Sequence, residues 1–341
     1  MSKVAIVGAG AWGTALAIVA GRQGRHEVRL WAREKEVYDG IAALRENPVF
    51  LPGCPIPESV AVTTAYEDCI RDAEIVVCAV PSQHCRAILS DIRQYLRPEM
   101  MLISATKGLE QATLMRMTSV FADVIKAQAG FSPRVGALSG PSFAKEVARG
   151  DPTAITIASQ DASLAEAGQK SFSDSRFRVY RNDDVVGVEL AGALKNVIAI
   201  AAGICDGLGL GHNSIAALIT RGLAEITRLA VASGAREQTL FGLAGLGDLV
   251  LTCTGELSRN RSVGVELGRN RKLSEILMDM HGSVAEGVFT TYAAVGLARA
   301  QKIEMPITEQ VFAILREGKP PSDAIHDLMT RSAKSEINLE T

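Results

Sequence analysis

Apolar and polar positions follow two regimes along the chain. In the first half, short apolar runs are each followed by a stretch of helical period. Val4-Ala5-Ile6-Val7 runs into glycines and then a helix-like segment over 12–22. Residues 27–31, 74–80, 100–105, 134–138, 153–158 and 177–180 read as further strands. Strands alternating with helices predict βαβ units and a mainly parallel sheet, and continuously apolar strands predict a sheet covered on both faces. From Asp184 onward only helical period remains, over 185–204, 214–233, 261–267, 274–281, 286–301, 308–316 and 322–332. Gly-rich breaks are expected at 206–211 and 242–247. The expected fold class is α/β: a mainly parallel N-terminal sheet over 1–183, an all-helical domain over 184–335 and a polar tail over 336–341.

Length agrees with this division, since 341 residues correspond to two domains at about 150 each. Apolar residues at 47% and charged residues at 22% exclude disorder as the dominant state. Thirty-six basic side chains meet 38 acidic ones, and no basic tract appears. With aromatics at 5%, neither a nucleic-acid partner nor an anionic membrane surface is expected. The six cysteines form no C-x-x-C pair and no tight cluster, so free buried thiols in a reducing compartment are expected, and no metal site. The apolar stretch 185–204 contains Glu189, Lys195 and Asn196, which favours a buried helix over a membrane span. The chain enters its first strand at once, with no signal peptide expected, and the working location is cytoplasmic.

Gly8-Ala9-Gly10-Ala11-Trp12-Gly13 is G-x-G-x-x-G between a strand and a helix. Gly8 permits the tight turn, Gly10 lets backbone approach a pyrophosphate, and Gly13 lets helix pack on strand. A dinucleotide-binding Rossmann unit is therefore expected. Twenty residues past Gly13, where an acid would hold a ribose 2′-hydroxyl, stands Arg33. A guanidinium there suits a 2′-phosphate, which favours NADPH, while the adjacent Glu34 leaves NADH open.

Four polar clusters interrupt apolar surroundings. Ser104-Ala105-Thr106-Lys107-Gly108 and Ser139-Gly140-Pro141-Ser142 follow predicted strands, whose carboxyl ends line the ligand crevice in such folds. Lys195-Asn196 lies inside the apolar helix, where a lysine is rare unless paired. Glu189, seven residues earlier, shares a helical face with Asn196. The fourth cluster is Gly245-Leu246-Gly247-Asp248, Thr252 and Ser258-Arg259-Asn260-Arg261. A helix start with an arginine and an asparagine suits a phosphate, and Ser258 also suits a plain N-cap. The histidines His26, His84, His212, His281 and His326 sit in no motif with a carboxylate, so a lysine partnered by Asp248 is the available proton donor.

Taken together, these strings resemble the bacterial NAD(P)-dependent sn-glycerol-3-phosphate dehydrogenases. The resemblance spans nearly the whole chain. Besides the clusters above, it includes Asn47-Pro48-Val49-Phe50-Leu51-Pro52, Thr220-Arg221-Gly222-Leu223-Ala224-Glu225, Leu249-Val250-Leu251-Thr252-Cys253-Thr254 and Val284-Ala285-Glu286-Gly287. It implies a homodimer that interconverts dihydroxyacetone phosphate and sn-glycerol 3-phosphate for phospholipid synthesis. It assigns the proton to Lys195, and cofactor and substrate contact to Lys107. Substrate contacts are implied for Gly140, Ser142, Asp248, Ser258, Arg259 and Asn260. Cofactor contacts are implied for Ala11, Trp12, Arg33, Ala144, Arg259, Val284 and Glu286. Ala11 stands where the family often has serine, and Ala285 where valine is common. Two alternatives are a 6-phosphogluconate or 3-hydroxyacid dehydrogenase and a nucleotide sensor without turnover. The Ser258–Arg261 string with Asp248 weighs against the first, and Lys195, Asp248 and Arg259 together weigh against the second.

Overall fold

The computed structural model describes residues 2–280, 284–333 and 335–336. The α/β part opens with β1 (Ser2–Val7), α1 (Ala11–Gly21), β2 (His26–Trp31) and α2 (Lys35–Leu44). A short hairpin of β3 (Glu46–Asn47) and β4 (Leu51–Pro55) precedes β5 (Val60–Thr63), α3 (Tyr66–Ile70) and β6 (Ile75–Cys78). Next come α4 (Ser82–Ile92), β7 (Met101–Ser104), α5 (Met117–Ala129) and β8 (Arg134–Ser139). The last elements of this part are α6 (Ala144–Arg149), β9 (Thr153–Ala158), α7 (Ala162–Phe172) and β10 (Phe177–Asn182).

The main sheet has the order β10-β9-β8-β7-β6-β1-β2-β5. All its pairs are parallel except β8 with β9, so β9 and β10 run against the rest. Every residue of β6 is buried, because both faces of the sheet are covered. On one face Leu16 and Val19 of α1, Ile6 of β1 and Leu30 of β2 share an apolar cluster with Leu164 of α7, which lies over Gly136 of β8. On the other, Leu89 of α4, Phe121 and Val124 of α5, and Ala5, Val7 and Val76 of the sheet share a second apolar cluster. The strand order reverses at β1, between β2 and β6, which opens the crevice at their carboxyl ends.

The helical part begins with α8 (Val185–Gly207), buried without interruption from Gly187 to Cys205. Around it lie α9 (His212–Ala232), α10 (Glu237–Leu240), α11 (Asp248–Thr254), α12 (Arg259–Gly268), α13 (Leu273–Asp279), α14 (Glu286–Gln301), α15 (Pro306–Phe312) and α16 (Pro321–Met329). By length and composition α8 is apolar enough to cross a bilayer, yet it is the buried core of this helical region. Its contact with α12 is backbone to backbone: a Cβ on Gly203 would lie 2.0 Å from Arg261 O, and one on Gly264 2.1 Å from Ile200 O.

The expected break at 242–247 is only partly a break. Leu243–Gly247 forms a π-helical turn that runs straight into α11. Its glycines are there for close approach, since a Cβ on Gly245 would lie 2.0 Å from Leu240 O. The helix expected over 274–281 ends at Asp279, and His281 lies outside the described residues. All six cysteines are free and buried.

Candidate active site

The glycine turn after β1 is built as its spacing demands. Gly8 has φ +116°, and a Cβ there would meet Ala79 O at 2.7 Å. A Cβ on Gly13 would lie 1.8 Å from Gly8 O, so only glycine lets α1 sit this close. Gly10 differs, with nothing within 4 Å of its Cβ position. Its bareness serves open space above the first turn of α1, where no side chain caps the helix amides. Asn47 braces this turn from β3: its amide donates to Ala9 O at 2.8 Å and Thr14 Oγ1 at 2.9 Å. An open, uncapped helix start behind a glycine turn fits a dinucleotide diphosphate.

Strand register brings the other loops to the same edge. Val7 is level with Trp31 and with Cys78, Cys78 with Ser104, and Ser104 with Ala137. Arg33, Lys107 and the 139–142 turn therefore leave the sheet on one side. Arg33 is exposed and paired to Glu34 at 2.8 Å. Gly140, at φ +137°, turns its carbonyl to Lys107 Nζ at 2.7 Å. The same ammonium lies 3.2 Å from Ser142 Oγ, 2.8 Å from Asp248 Oδ2 and 5.9 Å from the Trp12 ring centre. Lys107 thus spans from the glycine turn, at Trp12, to Asp248 of α11.

Lys195 approaches the same carboxylate from α8. Its Nζ lies 2.5 Å from Asp248 Oδ1 and 2.7 Å from Thr252 Oγ1. Lys195 is 6% exposed and Asp248 1%. Burial, aided by the Lys107 charge, pulls the Lys195 ammonium down to about 8, with Asp248 opposing. An amine poised near neutrality both donates and accepts a proton. The partner comes from another helix, which sequence spacing along α8 does not reveal.

Beside this centre, Asn196 donates to Lys107 O at 3.1 Å and accepts from Asn260 Nδ2 at 2.8 Å. Asn260 Oδ1 accepts from Gly287 N at 2.9 Å, so its side chain ties α8, α12 and α14 together. Ser258 caps α12, accepting from Arg261 N at 3.2 Å. Arg261 is committed to Asp206 at 2.5 Å, whereas Arg259 is exposed at the helix start. Surrounding protein still desolvates Arg259 enough to lower its pKa, and the Glu286 charge opposes this. Glu286 is bonded to Ser82 N at 2.8 Å and to Ser82 Oγ, and burial raises its pKa. Ala144 opens α6, and half-buried Val284 lies just before α14.

Lys107, Gly140, Ser142, Lys195 and Asp248 therefore form one hydrogen-bonded centre, flanked by Asn260, Ser258 and Arg259. Thr252 and Asn196 belong to it by contact. Their signal is in the sequence: Thr252 is one helical turn after Asp248, and Asn196 is next to Lys195. Asn47 was visible only as part of a string. His26 is far from this centre, at the start of β2 and bonded to Ser2 Oγ at 2.5 Å.

Comparison with known proteins agrees with this geometry. The profile of the NAD-dependent glycerol-3-phosphate dehydrogenase N-terminus matches residues 3–165, and that of its C-terminus residues 184–326. A glycerol-3-phosphate dehydrogenase (NAD(P)+) of Koribacter versatilis is 61% identical over 337 residues, covering 99% of both chains. The glycerol-3-phosphate dehydrogenase structure from Coxiella burnetii superposes with a TM-score of 0.92 at 39% identity, over 97% of this chain and 99% of that one. The enzyme of that name from Saccharomyces cerevisiae gives 0.80 at 27% identity, over 97% and 99%. With fold, crevice and both profiles in agreement, the chain belongs to the NAD(P)-dependent glycerol-3-phosphate dehydrogenase family, an oxidoreductase family.

Proposed function

We propose that the chain reduces dihydroxyacetone phosphate to sn-glycerol 3-phosphate, reversibly and with NAD(P)H, for glycerophospholipid synthesis. The observation that carries this reading is the buried Lys195, held by Asp248 and Thr252 at the crevice edge. The nicotinamide, when bound, supplies the hydride. Gly8, Gly10, Ala11, Trp12 and Gly13 would hold its diphosphate side, with Arg33, Ala144, Val284 and Glu286 around it. Arg259, at the start of α12, grips the substrate phosphate with the Ser258–Asn260 backbone, so a remote handle orients the ketone. Lys107 and Ser142 fix the carbonyl end. As negative charge grows on the ketone oxygen, Lys195 donates a hydrogen bond and then its proton. In the reverse direction neutral Lys195 takes that proton back.

Arg33 favours NADPH over NADH, because its fork suits a 2′-phosphate better than a hydroxyl. The division at 183/184 is read as a nucleotide-binding and a substrate-binding domain. A homodimer follows from the family resemblance, and the buried free thiols accord with a cytoplasmic location. The test is loss of reduced-nicotinamide absorbance with dihydroxyacetone phosphate. Turnover of this substrate, and not of 6-phosphogluconate, is expected; the opposite pattern overturns the substrate assignment.

A further inference from the structure

Glu189 and Asn196 lie on one face of α8, roughly 10 Å apart along its axis. That face holds one loop at both ends. Asn196 binds the Lys107 carbonyl at 3.1 Å. One turn earlier, a Cβ on Gly192 would lie 3.8 Å from Lys107 Cγ, so the lysine stem runs over the helix there. One turn earlier again, the Glu189 carboxylate takes Thr118 N at 2.8 Å, Thr118 Oγ1 at 2.6 Å and Arg116 Nη1 at 2.6 Å. Glu189 is buried, 7% exposed.

The segment between these anchors is closed on itself. Leu109 pairs with Arg116 in an antiparallel bridge, Glu110 N donates to Met115 O at 3.0 Å, and Leu114 N to Glu110 O at 2.8 Å. Leu109 is fully buried in the helical core, and its carbonyl takes Gln83 Nε2 at 2.8 Å. A loop fixed at Arg116 is therefore fixed at Leu109, two residues from Lys107.

We propose that Glu189 is a positioning residue: it anchors the 107–118 loop to α8 so that Lys107 meets Asp248 opposite Lys195. The proposal rests on the roles of Lys195 and Lys107 given above. Each oxygen of Asp248 serves one lysine, so a displaced Lys107 leaves Asp248 to Lys195 alone and removes a neighbouring cation. Both changes favour charged Lys195. The charged or titratable groups facing it are Asp248 and Cys253 from α11 and Lys107 from the loop.

Glu189→Gln keeps size and removes the charge. Arg116→Gln removes the same ion pair from its less buried side and serves if Glu189→Gln folds poorly. Steady-state reduction of dihydroxyacetone phosphate is measured against pH, per site counted by cofactor titration. Displacement of Lys107 by about 1 Å should lower kcat/KM by roughly 10–10²-fold, with a raised KM. The basic limb of the profile should move to higher pH, and Arg116→Lys should recover part of the loss. Wild-type kcat, KM and pH limb in both Gln variants, with only a lower Tm, would leave Glu189 a purely structural residue and overturn the proposal. Lys195→Met is run alongside. If it is inactive while the Gln variants are normal, this proposal alone fails; if it keeps its rate, the Lys195 reading fails and the proposal with it.

Discussion

Lys195 Nζ lies 2.5 Å from Asp248 Oδ1, and both groups are closed off from solvent. A buried pair of this kind is weak evidence of stability, because desolvation offsets much of the attraction. Its value here is chemical. Asp248 keeps the ammonium in place, while burial pulls its pKa down to about 8, near the working pH.

This sets the pH dependence. Reduction needs charged Lys195, so its rate should hold below about 8 and fall above it. Oxidation needs the neutral amine and should rise through the same value. Asp248→Asn removes the charge opposing burial, so both limbs should move to lower pH. Buried Lys195 and half-buried Lys107 then lack their anion, at a cost of about 3–5 kcal/mol, and Tm should fall. Unmoved limbs in rate–pH profiles would mean that Lys195 is not the titrating group.

Arg259→Lys keeps the charge and loses the fork. With saturating cofactor, kcat/KM for dihydroxyacetone phosphate should fall about tenfold or more, as expected for one charged hydrogen bond of ~1.5–3 kcal/mol. Dihydroxyacetone lacks the phosphate, so its poor rate should barely change. Equal proportional losses would remove Arg259 as the phosphate ligand.

Arg33→Asp places a carboxylate beside Glu34 at the end of β2 and should repel a 2′-phosphate. The ratio of kcat/KM for NADPH to that for NADH should drop. An unchanged ratio would show that Arg33 does not read the ribose.

Glu225 of α9 gives a stability prediction. Its buried carboxylate accepts from Ile307 N at 2.6 Å and Thr308 N at 3.2 Å, at the start of α15. Burial pushes its pKa up to about 7. The folded value exceeds the unfolded one, so this stabilisation is complete below about pH 4.3 and is lost as pH rises through about 7. Glu225→Gln cannot titrate. The variant's Tm relative to wild type should therefore climb between pH 5 and pH 8, by the equivalent of at most about 3 kcal/mol. A difference constant with pH would contradict this.

The alternation of apolar runs and helical period made seven of the eight strands of the main sheet and the switch to helices at Asp184 legible in the sequence. β5 was not, because a run of only four residues, Val60–Thr63, is too short to stand out from a loop. The reversed direction of β9 was hidden too: strand polarity is set by the connection through α6, not by strand composition. Among site residues, Lys195 stood out as a cation in an apolar helix, while Asp248 stood inside a glycine string. Their meeting depends on how α11 leans on α8, a tertiary fact. The 189/196 spacing was legible as a shared face; the loop it holds was not.

The central claim is that Lys195 moves the proton. Lys195→Met keeps volume and helix propensity, and Asp248 retains Lys107 as partner. The decisive measurement is its kcat for dihydroxyacetone phosphate reduction, with cofactor affinity followed by fluorescence titration. The account predicts a fall of at least roughly 10²–10⁴-fold with cofactor binding intact. A near-normal kcat would place the proton donor elsewhere and contradict the mechanism.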